Sequence, residues 1–456
     1  MAKKKQIELT IEEKLQNALV PKEEQPYKIP SNWCWSYWKY CGKFIAGNGF
    51  KNIYQGFTQY DIPYYKVGSL KFCDEGNYLI DETNTINEEI RTKLKAVKIP
   101  VNSIIFAKIG EAIKLNRRCL NKIECCIDNN LMAFISEKYF YKYIFYWTKS
   151  LNFYELTNAT TVPALRKTDL ENIPIPLPPL NEQQRIVNII ESLFAKLDRA
   201  KELIENTLAQ FEQNKMAILH KAFTGELTAK WRKENNIDLS SWQEKTIDEL
   251  CTSLKYGTSK KSKLEGSVVV LRMGNLQNGE IDWSNLMYTD DKEDIEKYLL
   301  KKGDVLFNRT NSPELVGKTS IYRGEYPAIY AGYLIKLDYG KDIIGEYLNY
   351  MMNSTKAKHY CYTVKTDGVS QSNINAKKIG AFEIPVPTIE EQQEIVNILD
   401  KLLAKYNKIK NLEQQLEKIE LLKKAILAKA FRGELGTNNP DEESAENLLK
   451  EILAEK

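Results

Sequence analysis

Gly317-Lys318-Thr319 is the one string in this 456-residue chain that imitates a phosphate-binding loop. Such a loop wraps a phosphate only with a further glycine five residues before the Gly-Lys pair, and Ser312 stands there instead. Methyl transfer to an amino nitrogen calls for Asn-Pro-Pro-aromatic and a Gly-rich methyl-donor loop after a strand, and neither is present. No acidic pair sits with a Glu-x-Lys on a plausible strand hairpin, the arrangement of a metal-dependent nuclease. His220 and His359 are the only histidines, too few for histidine-based triads or an ordinary zinc site. Cys34, Cys41, Cys73, Cys119, Cys125, Cys126, Cys251 and Cys361 form no Cys-x-x-Cys and no regular framework, so they read as reduced core or surface thiols. The chain is expected to carry no catalytic residue, metal or cofactor of its own.

Basic side chains point elsewhere. The net charge of +4 is too weak to announce nucleic acid, but its distribution says more. Lys255 to Lys263 holds four lysines and no acid. Lys114, Arg117 and Arg118 make a second cluster, and Arg91, Lys93, Lys95 and Lys98 a third. A solvated face is the ordinary reading of any one of them. Clusters at related places in two halves favour phosphate contacts.

Those halves are real, because the chain repeats itself. Glu182-Gln-Gln-x-x-Val-Asn-Ile returns at Glu391, 209 residues later, and Ala222-Phe-x-Gly-Glu-Leu returns at Ala430. Trp33 matches Trp242, Lys66-Val-Gly-Ser-Leu matches Arg272-Met-Gly-Asn-Leu, and Ser103-Ile-Ile-Phe-Ala-Lys matches Asp304-Val-Leu-Phe-Asn-Arg. Tyr143-Ile-Phe-Tyr recurs at Tyr347, and Ile175-Pro-Leu-Pro at Ile384. The order holds while the offset drifts between 201 and 209, as loop insertions would produce. A repeat of this length is a duplicated module, not a solenoid.

Each module divides into a globular part and a helix. Hydrophobic content of 43% with 26 tyrosines describes a folded protein. Ser267-Val-Val-Val-Leu-Arg and Asp304-Val-Leu-Phe read as strands, and 342–352 and 137–149 as helices, which makes the globular parts α+β. The proline strings at Ile173 and Ile384 are extended straps, since proline lacks a donor and disfavours αR before it. Helices should then start at Asn181 and Glu390. Ile186, Ile190, Leu193, Leu197, Ala200, Ile204, Leu208, Phe211, Ile218 and Ala222 form one long stripe, with Lys215 its polar member. Ile395, Leu399, Leu402, Tyr406, Ile409, Leu412, Leu416, Ile419, Leu422 and Ile426 form the other. Helices of about 40 residues span about 60 Å, and two matching stripes most simply cover each other as a coiled coil ended by Gly225 and Gly433. Thr10-Ile-Glu-Glu is a capping box opening a short helix to Leu19, and Ala445, Leu448, Leu449, Ile452 and Leu453 face one side of a terminal one. That face could pack on its own protein or on a partner.

The boundaries expected from this pattern are an N-terminal helix and linker over 1–26, a first globular domain over 27–178, and a central helical region and linker over 179–240, its helix at 181–223. A second globular domain over 241–387, a distal helical region over 388–436 and an amphipathic helix over 437–456 follow. No apolar run approaches the roughly 18 residues of a membrane span, and Met1-Ala-Lys-Lys-Lys leads into a polar segment, so a cytoplasmic protein with no membrane partner is expected.

Taken together, Thr10-Ile-Glu-Glu-Lys-Leu, Ile29-Pro-x-x-Trp, Gly303-Asp-Val-Leu-Phe-x-Arg, Pro176-Leu-Pro-Pro-Leu-x-Glu-Gln-x-x-Ile and Lys221-Ala-Phe-x-Gly-Glu-Leu resemble the specificity subunit of type I restriction–modification enzymes. The resemblance covers nearly the whole chain. It implies two pseudo-twofold-related target recognition domains separated by antiparallel helices, reading a bipartite, asymmetric double-stranded DNA target with a spacer set by the coiled coil. It also implies two methylation (M) subunits and motor-nuclease (R) subunits as partners. S-adenosylmethionine, ATP and Mg would be theirs, and they would methylate a flipped adenine. The first copy departs from the motif, with Asn102-Ser103 for Gly-Asp and Lys108 for Arg.

Arginine or lysine reads guanine and asparagine or glutamine reads adenine, so polar loop residues beside basic clusters are the candidate DNA contacts. In the second domain these are Lys255, Tyr256, Ser259, Lys260, Lys261, Arg272, Asn275, Arg309 and Asn311; in the first, Lys43, Asn48, Lys51, Lys66, Lys108, Arg117 and Arg118. Two other readings stay open, a coiled-coil scaffold that binds proteins and a self-contained methyltransferase or nuclease. Steep salt dependence of DNA binding separates the first from a DNA reader, and incubation with DNA and methyl donor tests the second.

Overall fold

Alternation and proline placement decide the sheets of each module. The computed structural model describes residues 9–136, 141–157, 162–404 and 409–455. It divides into two units, Met1–Glu202 with Gln414–Lys456, and Leu203–Glu413.

In the first unit, strand Cys34–Tyr37 pairs antiparallel with the proline strap Pro174–Leu177. Proline survives there because this is a lone two-stranded pair, whose outer edge needs no donors. A four-stranded antiparallel sheet follows in the order Gly42–Ala46, Leu131–Ser136, Ile104–Ala107, Arg118–Leu120. Strand Ile104–Ala107 is buried along its whole length, as its unbroken apolar run requires. Trp38 closes the core, with ring centroids of Phe44, Phe134 and Trp147 within 4.7–5.0 Å. A smaller sheet sets Ile62–Tyr65 between Thr85–Ile86 and Cys126–Ile127, the latter pair parallel.

The second unit repeats this plan. Gln243–Thr246 pairs with Glu383–Val386, and Cys34↔Leu177 becomes Gln243↔Val386, both partners 209 residues on. Its four-stranded sheet runs Cys251–Tyr256, Leu334–Tyr339, Val305–Asn308, Thr319–Ile321. Its small sheet sets Val268–Leu271 between Tyr288–Thr289 and Ala328–Tyr330. Gly303, which opens the Gly-Asp-Val-Leu-Phe motif, adopts φ +95°, and Asn102 holds the matching place of the first copy at φ +63°. Asparagine is among the few residues that tolerate this conformation, so the departure from glycine preserves the turn.

The first long helix runs Leu180–Phe223, 44 residues and one residue earlier than its expected start. Described parts of the second are Ile389–Ala404 and Ile409–Phe431. Tyr406 of the expected stripe and the side chain of Ile409 lie outside the described residues, as do 137–140 of the expected helix, whose described part is Tyr141–Ser150. In the first unit the helices run antiparallel: Asp198 pairs with Lys423, and Lys201, one turn later, pairs with Glu420, one turn earlier. Leu422 points to solvent rather than into the stripe. Lys423 takes that place, its ammonium 5.3 Å from the Phe194 ring, because alternating spacings of four and three run from Ile419 through 423 to Ile426. Gly225 and Gly433 terminate the helices at φ +79° and +73°.

One contact is made twice. Trp33 Nε1 donates to Glu182 Oε2 at 2.8 Å, and Trp242 Nε1 donates to Glu391 Oε2 at 2.9 Å. Both carboxylates are fully buried in the first turn of a long helix. Thr437 Oγ1 completes the first lock and Thr228 Oγ1 the second, so each fastens the start of one long helix to the chain just past the end of the other. The locks differ in one donor: Asn438 Nδ2 reaches Glu182, whereas the Arg232 guanidinium reaches Glu391 at 2.6 Å.

The Thr10 capping box forms, opening helix Ile11–Ala18. Helix Ala445–Ala454 buries Leu449, Ile452 and Leu453 in the first unit's core, so its own chain covers that apolar face. Among the described residues, no helix is long and apolar enough to cross a membrane.

Candidate nucleic-acid interface

Strand Val305–Asn308 delivers Arg309 to the end of the second unit's sheet. The chain continues as Thr310–Asn311, which pairs with Ser372–Asn373, and that strand turns back on Thr366–Asp367. The result is a small three-stranded ribbon whose tip, residues 368–371, carries a fully exposed Val369. Arg309 lies under it. Its guanidinium carbon is 4.9 Å from the Tyr256 ring centroid, and Nη2 donates to Asn373 Oδ1 at 3.0 Å. Asn373 in turn donates to Thr310 Oγ1 at 2.7 Å, and the Tyr256 hydroxyl accepts from the Ala376 amide at 2.9 Å. Ring, amide and ribbon therefore hold a planar, permanently charged fork in one orientation. Such a fork matches guanine O6 and N7 or a phosphate.

Asn311 is half-buried, its Oδ1 accepting from the Ser312 amide at 2.8 Å. The Gly257 turn beside them needs its glycine, since a Cβ there would lie 2.1 Å from the Tyr330 carbonyl oxygen. Ser259 and Lys261 follow it, exposed. Lys260 is tied down, with Asp291, Glu293 and Asp294 carboxylates within 2.9–3.3 Å of Nζ. Lys255 pairs with Asp338 at 2.8 Å. Burial works against the charge of Asp338, but hydrogen bonds from Lys255, Lys336 and Ser253 prevail and hold its carboxyl down at about 2. The lysine run carries no acid in sequence, yet folding supplies four.

Two candidates of this unit serve its frame. Asn275 is buried, accepting from the Arg272 amide and donating to the carbonyls of Asp282 and Ser284 at 3.0 and 3.1 Å. Arg272 Nη2 donates to the Asn285 carbonyl at 2.7 Å. Asn275 is thus a turn-former with no donor left over.

In the first unit, Lys43, Lys51 and Arg117 are exposed. Lys66 Nζ donates to Gln55 Oε1 at 2.7 Å, and half-buried Lys108 follows strand Ile104–Ala107. Asn48 Oδ1 accepts from the Val97 amide at 3.1 Å, and its backbone oxygen accepts from the Tyr64 hydroxyl. Arg118 corrects the expectation outright. It is 3% exposed, its guanidinium 3.7 Å from the Phe153 centroid, with Nη1 and Nη2 donating to the carbonyls of Asn116 and Leu151. Burial pulls its pKa down to about 9. Arg118 opens the strand Arg118–Leu120, which is buried along its whole length, while Arg117 stands just before it and is exposed. Three of the four members of the third basic cluster are also paired, since Arg91 and Lys98 meet Glu88 and Lys93 meets Glu89, all at 2.6 Å.

The ribbon and Asn373 were missing from the sequence expectations. Asp367-Gly368 between polar β-formers was the available signal for a hairpin.

Lys261→Ala should lower the slope of log affinity against log salt on DNA by about one unit, the amount for one phosphate contact. Lys260→Ala should change it less, since its charge is already matched. Fluorescence-anisotropy titrations at several salt concentrations check both.

The sequence profile of the Type I restriction modification DNA specificity domain matches residues 52–210 and again 240–421. The chain is 30% identical over 315 residues to the type I restriction enzyme EcoKI specificity subunit of Escherichia coli K12, an alignment covering 66% of this chain and 68% of that one. It is 29% identical over 335 residues to the StySPI specificity subunit of Salmonella potsdam, covering 69% and 71%. A chain solved in a study of complex assembly and conformational transition of the type I R-M system superposes with a TM-score of 0.65. That chain shares 19% identity and is covered in full by 90% of this one.

Proposed function

Because the chain belongs to the type I restriction–modification DNA specificity family and carries its domain twice, we propose that each unit reads one half of a bipartite, asymmetric DNA target. The seat of Arg309 between the Tyr256 ring and Asn373 carries this reading. A guanidinium fixed on both sides can distinguish one base pair, whereas most contacts from free lysines go to phosphates. The corresponding residue of the first copy is Lys108, so the two halves of the target should differ. Residues 27–178 and 241–387 are the reading parts, and the long helices set the unread spacer between half-sites. Lys43, Lys51, Arg117, Ser259 and Lys261 are its exposed DNA contacts, with Tyr256, Arg309 and Asn311 nearest the bases.

The role is non-catalytic, and the chemistry belongs to others. Two methylation subunits using S-adenosylmethionine would modify an adenine in each half-site, and motor-nuclease subunits with ATP and magnesium would join them in the cytoplasm. Arg309→Ala should cost about 1–3 kcal/mol at a single base pair and relax preference there. The measurement is a binding competition across targets substituted one position at a time, alongside mapping of methylated adenines in a host carrying chain and partner. An equal loss on every sequence would make Arg309 a phosphate contact.

A further inference from the structure

Cys73 and Cys119 bring their sulfurs to 2.6 Å, about 0.5 Å beyond the length of a covalent disulfide. Cys73 is half-exposed on the segment after the turn Val67–Lys71, and Cys119 is buried at the centre of strand Arg118–Leu120. Forty-six residues separate them, so the meeting is made by the fold and not by sequence proximity.

The two thiols are unequal. The hydrogen bond between the two sulfurs lowers the Cys73 pKa against the pull of burial, and the Lys149 ammonium and Arg117 help while Asp74 opposes. The same hydrogen bond and deeper burial raise Cys119. Cys73, the more exposed sulfur and the one whose pKa is lowered, is therefore the attacking group, and Cys119 the sheltered partner.

The second unit shows that this seam closes without sulfur. At an offset of 201 the place of Cys119 is held by Ser320, and Gly279, the counterpart of Asn77, faces it. These are joined by a backbone bridge, with the Ile321 amide donating to the Gly279 carbonyl at 3.1 Å.

We propose that Cys73 and Cys119 are a site of reversible oxidation, closed to an intramolecular disulfide by hydrogen peroxide. The Cys73 thiolate attacks one peroxide oxygen, the O–O bond breaks, and hydroxide leaves to be protonated to water. The Cys119 sulfur then displaces the hydroxyl of the Cys73 sulfenic acid, which departs as water with the Cys119 proton. Two thiols lose two electrons and one peroxide becomes two waters. The bridge fastens the segment after Lys66–Leu70 to the strand that follows Arg117. It marks the first unit alone.

The test treats the full native chain with stoichiometric hydrogen peroxide and maps its peptides without reduction. A Cys73–Cys119 cross-linked peptide should appear and dithiothreitol should reverse it, with the other six cysteines alkylated as free thiols. C119S should leave Cys73 trapped as sulfenic acid, captured by dimedone, and C73S should abolish both products. Sulfinic acid on Cys73 of the unmutated chain without a cross-link, or a bridge between other cysteines, would overturn the proposal. The wild-type map decides even if a variant folds poorly.

Discussion

Glu391→Ala should loosen the second unit by about 3–5 kcal/mol, the loss that follows when one member of a buried ion pair goes and the other stays. Glu391 has no exposed surface, and Arg232 Nη1, Thr228 Oγ1 and Trp242 Nε1 all donate to its carboxylate at 2.6–2.9 Å. Alanine strands three donors, one of them charged. The repeat provides an internal control, because Glu182 meets Trp33, Thr437 and Asn438, all neutral. Glu182→Gln should therefore cost less than Glu391→Gln, which leaves Arg232 without its counter-charge. Hydrogen exchange read by mass spectrometry on peptides of each unit measures both losses in one molecule. Glu391→Ala/Arg232→Met should recover part of the loss. Equal costs for the two glutamines would place the energy in the tryptophan contact and not in the ion pair.

Four residues added to the first long helix after Glu205 should change the spacer that the protein accepts. Helical geometry makes this an extension of about 6 Å and one turn. Methylation at the original target should drop toward the non-specific level, about a thousandfold or more below the specific one. A library of targets with varied spacers, methylated by chain and partner together, reads the outcome. Retention of the original spacer would remove the helices from any measuring role.

Much of the fold was legible because duplication checks each local reading against a second copy. Strand registers, proline straps and helix-ending glycines all recur at the offsets read from sequence. Trp33 and Glu182 were visible as separate repeats, but their contact was not, since nothing in a linear pattern joins residues 149 apart. Candidate contacts were less legible for a different reason. A cluster of lysines in sequence says nothing of carboxylates arriving from elsewhere, and Lys260 collects three. Arg117 and Arg118 are neighbours in a string, but the strand that begins at Arg118 is buried along its whole length, so the point where it enters the sheet separates a surface charge from a buried one. Arg309 was found because its motif marks the strand end, while Asn373 beside it belongs to a ribbon that only long-range pairing creates.

The two locks also set a timetable. Every residue that closes the second unit lies between 203 and 413, a contiguous stretch that a ribosome delivers in one pass. The first unit is split, and its Glu182 waits for Thr437 and Asn438 to be synthesised. The later module can thus mature before the earlier one, and a nascent chain halted after residue 413 would have one finished reader and one left ajar.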